Sequence, residues 1–159
     1  MKKAKRSVAK EPTLWTIGYE TATPKAVLAE LKRAKVDLLI DTRAVAASRR
    51  PGFSKTQLSA ALDEAGIAYL HLQKLGTPTE GREAARAGNL DKLWRIYEKH
   101  IAKKEPQQEL GELVSLIQSG QRVALLCYCR NPNTCHRSRI VAHVKDRTPV
   151  SVEDLVPAL

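Results

Sequence analysis

The chain has 159 residues, 43% of them hydrophobic, which suits one domain with an ordinary core and excludes a disordered polymer. Its apolar runs, such as Val36 to Ile40 and Val123 to Cys127, fall far short of the roughly 20 residues a membrane helix needs. The formal charge is +10, and residues 1–13 hold five basic side chains against one acid, so +6 remains on the rest. Residues 1–13 read as a basic tail and 14–159 as a single domain. No apolar stretch follows the basic N-terminus, so a cytoplasmic chain with three reduced cysteines is expected, with no membrane partner.

In chain order, Leu14 to Tyr19 reads as a strand. Thr23 N-caps a helix with Pro24 at its first position, and Val27, Leu28 and Leu31 fall at helical spacing. Val36 to Ile40 is an apolar run broken only by Asp37, the pattern of a strand buried on both faces, and stops at Asp41-Thr42-Arg43. A polar loop with Ser48-Arg49-Arg50-Pro51-Gly52 follows. Ser54 caps a second helix with Leu58 and Leu62 inward and Gly66 as its stop, and Ile67 to Leu72 is a third strand. Gln73 to Gly81 reads as a long loop. Residues 83–104 read as helical with a break near Gly88-Asn89. Pro106 opens another helix, Val123 to Cys129 is the fourth strand, and Asn131 to Asn133 starts a last helix through Ile140 and Val144.

Strands alternating with helices predict an α/β domain with a mainly parallel open sheet and helices on both faces. Ligands bind such sheets outside the carboxyl ends of the strands. That rule gathers Gly18-Tyr19-Glu20, Asp41-Thr42-Arg43, the loop after Leu72, and Cys129 to Arg137 at one edge.

The densest chemistry lies in Cys127-Tyr128-Cys129-Arg130-Asn131-Pro132-Asn133-Thr134-Cys135-His136-Arg137. A thiol in or near a first helical turn, beside arginines, has its pKa lowered. Cys135 is therefore the candidate nucleophile, against the alternative of a small buried residue packing helix on sheet. His136 is a candidate acid or base. Cys127 reads as core, with Cys129 two residues on and nearer the cleft. The spacing does not suit zinc, because Cys135 and His136 are neighbours and the paired Cys-x-x-Cys pattern is missing. No metal and no cofactor are expected. A tyrosine-phosphatase motif is absent, since position 133 is Asn and position 135 is Cys where its arginine would stand. Asp41 is a candidate base or a holder of Arg43, and Arg43, Arg49 and Arg137 are candidate anion ligands, because guanidinium forks suit phosphate and carboxylate.

Taken as an ordered set, these segments carry a likeness. Thr16-Ile17-Gly18, Asp41-Thr42-Arg43 with Ser48-Arg49, Phe53-Ser54-Lys55, Gly66-Ile67-Ala68-Tyr69, Leu75-Gly76, and Leu126-Cys127 continuing to Pro132 and Cys135-His136-Arg137 resemble the domain-of-unknown-function family 488 from Trp15 to Ala142. The resemblance implies an α/β fold and importance for Asp41, Arg43, Cys127, Cys135, His136 and Arg137. It implies no activity. This chain departs from relatives in having Tyr19-Glu20 where they often carry His-Ser, Ala46 for proline, and Cys129 for glutamate. The expected function is an enzyme acting on a phosphate-bearing or other anionic ligand. The alternative is a non-catalytic module that binds nucleic acid or another anion.

Overall fold

The computed structural model describes residues 11–159. The proposed basic tail falls mostly outside the described residues, and Thr13 already belongs to the first strand. Five strands, β1 (Thr13–Gly18), β2 (Leu38–Asp41), β3 (Ala68–His71), β4 (Val123–Cys127) and β5 (Ser151–Leu155), form one sheet in the order β3-β2-β4-β1-β5. Every pairing is parallel, as the strand–helix alternation requires.

Two helices, α1 (Pro24–Arg33) and α2 (Lys55–Glu64), cover one face of the sheet. Val27, Leu31, Leu58 and Leu62 pack there against Trp15, Ile17, Leu39, Ala124 and Leu126. On the chain's return, α3 (Thr79–Arg86) leads into α4 (Leu90–Ile101), α5 (Lys104–Gln118) and α6 (Arg137–Arg147). Tyr97, Ile101, Leu110, Ile117, Ile140 and Val144 bury Leu14, Leu38, Ile40 and Leu125 on the opposite face. The two faces thus take alternate residues of each strand, the period-two rule of a pleated sheet. Both β1 and β2 send their connections over the first face, and β4, lying between them, sends its connection over the second. The chain direction therefore reverses around β4, and crevices open beside its carboxyl end.

Local signals explain the boundaries. The Thr23 hydroxyl accepts from the Ala26 amide at 3.1 Å, capping α1. The Asn89 side chain accepts from the Lys92 amide at 3.1 Å and separates α3 from α4. Gly66 and Gly120 end their helices at φ +78° and +94°. Ser54 precedes α2 but does not cap it; its hydroxyl accepts from the Ser48 amide at 3.0 Å and closes the polar loop instead.

Three expectations are corrected. The stretch Gln73 to Gly81 is not loop throughout, because a 3₁₀ turn (Gln73–Leu75) is followed by α3 from Thr79. The fourth strand stops at Cys127 rather than Cys129. A fifth strand, β5, pairs with β1 at the sheet edge. Its pattern is mostly exposed, with Glu153-Asp154 in it, as suits an edge that charge keeps from pairing further.

Candidate active site

Beyond Gly18 the chain stays beside β4. The Tyr19 amide donates to the Cys127 carbonyl at 3.3 Å, and the Glu20 amide to that of Tyr128 at 2.8 Å. The Glu20 carboxylate then accepts from the Arg130 amide at 3.0 Å, so Glu20 staples the loop after β4. A Cβ at Gly18 would lie 1.7 Å from the Cys129 carbonyl oxygen; only glycine lets the two segments come this close.

The end of β2 splits its polar residues between the two faces. Asp41 turns toward α1 and α2. It is fully buried, accepts from the Arg43 backbone and Nε at 3.1 and 2.8 Å and from Nη2 at 2.7 Å, and takes the Tyr69 hydroxyl at 2.5 Å. Arg43 Nη1 donates to the Phe53 carbonyl at 2.8 Å and to the Tyr19 hydroxyl at 3.2 Å. Burial alone would lower the pKa of Arg43, but the Asp41 carboxylate more than reverses this and holds the cation. Burial and the same carboxylate push the Tyr69 phenol up.

Thr42 turns the other way, toward α6. Its carbonyl lies 2.9 Å from His136 Nε2, so Nε2 carries the proton and Nδ1 faces the Cys135 sulfur at 3.6 Å. Cys135 does not lie in a helical turn. A 3₁₀ turn (Pro132–Thr134) ends at Cys135, which is extended at φ −126°, and His136 is the N-cap of α6. The helix terminus reaches the thiol by one bond, from the Arg137 amide to Cys135 Sγ at 3.5 Å.

Arg137 itself is 1% exposed. It donates to the Cys129 carbonyl at 2.6 Å and to the Thr16 hydroxyl at 3.0 Å, and that hydroxyl in turn donates to Asp154. Its buried Nε has no partner, and among the described residues no carboxylate forms an ion pair with it. Burial works against its charge, and the sulfurs of Cys127 and Cys135 outweigh that and keep it cationic.

The sulfurs of Cys127, Cys129 and Cys135 lie within 4.8 Å of one another. Burial disfavours the Cys135 thiolate, but the neighbouring thiols of Cys127 and Cys129, with His136 beside it, hold its pKa well below the usual thiol value. Burial pushes Cys127 well up. Cys129 is pushed up to about 12; Cys127 beside it acts the other way, and Cys135 and burial prevail. Burial would lower the His136 pKa, yet the adjacent Cys135 raises it. Three sulfurs could also hold a soft cation. His136 does not join that group among the described residues, and a buried guanidinium already faces two of the sulfurs.

Above the thiols lies a cleft of about 330 Å³, lined by all three cysteines, His136, Arg43, Arg82, Arg86 and the rim residues Val45 and Tyr128. Of the residues read from the sequence, Cys135, His136 and Arg43 reach its wall. Asp41 and Arg137 sit at the same sheet end beneath it, each bound to protein groups. Arg49 is exposed on its loop and away from the cleft. Arg82 and Arg86 did not stand out in the sequence; they fall four residues apart on α3, a spacing that would have shown a common face had α3 been recognised.

The family model described as "Domain of unknown function DUF488" matches residues 23–144. The chain belongs to this family. No curated protein and no solved structure matches it. For this DUF488 member, then, the site must be read from its own geometry, and the matched span holds β2, β4, the thiol loop and most of α6.

Proposed function

We propose that this protein is an enzyme that binds an anionic ligand in the cleft and acts on it with the Cys135 thiolate as nucleophile. The observation that carries this reading is the placement of the Cys135 thiol, which borders the cleft while the residue is only 2% exposed. It lies 3.5 Å from the Arg137 amide and 3.6 Å from His136 Nδ1, with two further thiols nearby. A nucleophilic thiol needs a stabilised thiolate and a proton partner in hydrogen-bond reach, and the lowered pKa of Cys135 with His136 beside it supports that reading. His136 is that partner. Arg137 supplies charge beneath the sulfur and ties down the Cys129 backbone, while Asp41 locks Arg43 into the cleft wall. Arg86, exposed on the rim, is the arginine best placed to meet the ligand's charge, with Arg82 beside it.

The nucleic-acid alternative receives less support. Arg43 and Arg137 are buried, the Arg50 guanidinium donates to the Ala22 carbonyl, and Arg139 stacks on Trp94 at 4.4 Å. These arginines are committed to the protein and do not line one open face.

Alkylation followed by peptide mapping tests the reading. The Cys135 rate is expected to be already high at neutral pH and to fall only as pH drops through its depressed pKa. Cys129 is expected to react only in strong alkali, in line with its pKa of about 12. Positive potential in the cleft favours the anionic reagent iodoacetate over neutral iodoacetamide, relative to a free thiol. Changing Arg86 to alanine is expected to reduce that preference by roughly tenfold at low salt. A Cys135 that titrates at or above the ordinary thiol value of about 8.5 removes the nucleophile. An unchanged reagent preference in the Arg86 variant removes the anion site.

A further inference from the structure

The proposed nucleophile leaves two neighbouring thiols without a task. We infer that Cys129 is the resolving thiol of a dithiol site whose substrate is an anionic disulfide. This rests on the reading of Cys135 as the nucleophile of an anion-binding cleft.

The thiolate of Cys135 attacks one sulfur of the substrate, forming a Cys135–substrate disulfide and expelling the other half as a thiolate. With the Cys135 thiolate spent in that disulfide, its charge no longer holds the Cys129 pKa up; Cys129 passes its proton to His136, left neutral by protonating the first leaving group, and attacks Cys135 Sγ. A Cys129–Cys135 disulfide forms, and the second half of the substrate leaves as a thiol. The protein loses two electrons and two protons, and one disulfide becomes two thiols.

Position selects Cys129 over Cys127. Cys127 is the last residue of the central strand β4, 1% exposed, and paired in register with Gly18. All three cysteines line the cleft, but of the three only Cys129 is part-exposed and lies past the strand end, where a mixed disulfide on Cys135 would be open to it. Sulfurs already within 4.8 Å must close to about 2.05 Å, a shift that rotation of two side chains can share. The backbone of Cys129 stays anchored meanwhile, through its carbonyl on Arg137.

The kind of intermediate also matters. An acyl or phosphoryl group on Cys135 would be released by water and would have no use for a second thiol. Sulfur on Cys135 is removed by a thiol, and one is in place. A hydroperoxide would need neither a cleft of about 330 Å³ nor arginines on its wall. Substrate halves bearing carboxylate or phosphate use both. The leaving group's charge is met by the same arginines, and His136 can protonate it.

The full chain, reduced and freed of reductant, is mixed near neutral pH with oxidised glutathione, a disulfide rich in carboxylates, or with cystamine, a cationic disulfide. Oxidised glutathione is expected to release about two equivalents of thiol and to leave a Cys129–Cys135 disulfide with no glutathione attached. Cystamine is expected to react more slowly. In Cys129→Ser the reaction stops after about one equivalent, with glutathione held on Cys135, whereas Cys127→Ser reacts more slowly, having lost a thiol that supports the Cys135 thiolate, but still releases about two equivalents and still forms the Cys129–Cys135 disulfide. If the parent also retains glutathione on Cys135, or if the disulfide joins Cys127 to Cys135, the role of Cys129 is overturned while Cys135 remains the nucleophile. If glutathione attaches elsewhere and Cys135 stays reduced, both readings fail. If cystamine reacts as fast as oxidised glutathione, the anionic class is wrong.

Discussion

Asp41→Asn is expected to cost about 3–5 kcal/mol of folding stability, the usual penalty for leaving a buried charge without its counterion. Asp41 is fully buried and Arg43 is 6% exposed, joined at 2.7 Å. One carboxylate oxygen serves the Arg43 backbone and Nε, and the other serves Nη2 and the Tyr69 hydroxyl. An amide supplies one acceptor oxygen and points a donor at groups that are themselves donors. Arg43 cannot shed its proton to escape, since guanidinium stays charged in proteins. At about 2–4 °C per kcal/mol for a domain of this size, the melting temperature should fall by roughly 6–20 °C. Urea unfolding with an unchanged slope would show that the loss is one of stability. Arg43→Met combined with Asp41→Leu removes both charges and should recover much of the loss, because such pairs balance desolvation against attraction. A single Asp41→Asn variant within about 1 kcal/mol of the parent would show that the pair is not held as described.

Gly18→Ala is expected to disrupt both stability and the thiol site. The added methyl group would sit 1.7 Å from the Cys129 carbonyl oxygen and 2.6 Å from its carbon. Neither is a flexible side-chain end. β1 lies between β4 and β5 and cannot move aside, so the loop from Tyr128 to Arg130 must give way. That displacement breaks the bond from Arg137 to the Cys129 carbonyl and the bond from Tyr19 to Cys127, and moves Cys129 away from Cys135. Overpacking of this kind costs about 1–3 kcal/mol when neighbours yield and more when they are backbone. Gly66→Ala is the comparison. Its φ is +78° but nothing lies within 4 Å of the added Cβ, so it should cost only about 1 kcal/mol and leave alkylation of Cys135 unchanged. In Gly18→Ala, Cys135 should lose part of its reactivity near neutral pH, because the thiol neighbours that favour its thiolate are displaced. A fully folded Gly18→Ala protein with parental Cys135 reactivity would show that this close approach does not shape the site.

The α/β class was legible in the alternation of short apolar runs with helical periodicity. Leu38 to Ile40 and Val123 to Cys127 are apolar on both sides because both strands lie inside a covered sheet. The edge strand β5 escaped because an edge needs little apolar signal and tolerates Glu153 and Asp154. The start of α3 escaped because Thr77-Pro78 reads as a turn, while Pro78 stands in the cap position just ahead of the helix.

By itself, the sequence determined that Cys135, His136 and Arg137 follow a strand end and that Asp41 and Arg43 follow another, so the carboxyl edge of the sheet was a defensible place for a site. Strand order was decided only by tertiary structure. With β4 lodged between β1 and β2, the thiol loop meets Gly18 on one side and Thr42 on the other, contacts between residues 94 or more positions apart in the chain. Tertiary structure also divided the polar residues into two groups: the pleat sends Asp41 to one face and Thr42 to the other, so the carboxylate fastens Arg43 while the neighbouring carbonyl orients His136. The three cysteines, at a spacing that suggested no pairing, converge because a 3₁₀ turn folds Cys135 back over the end of β4. Spacing along a chain reports a common face only within one helix or strand, and these thiols are carried by a strand, a loop and the approach to a helix, whose relative placement belongs to the packed sheet.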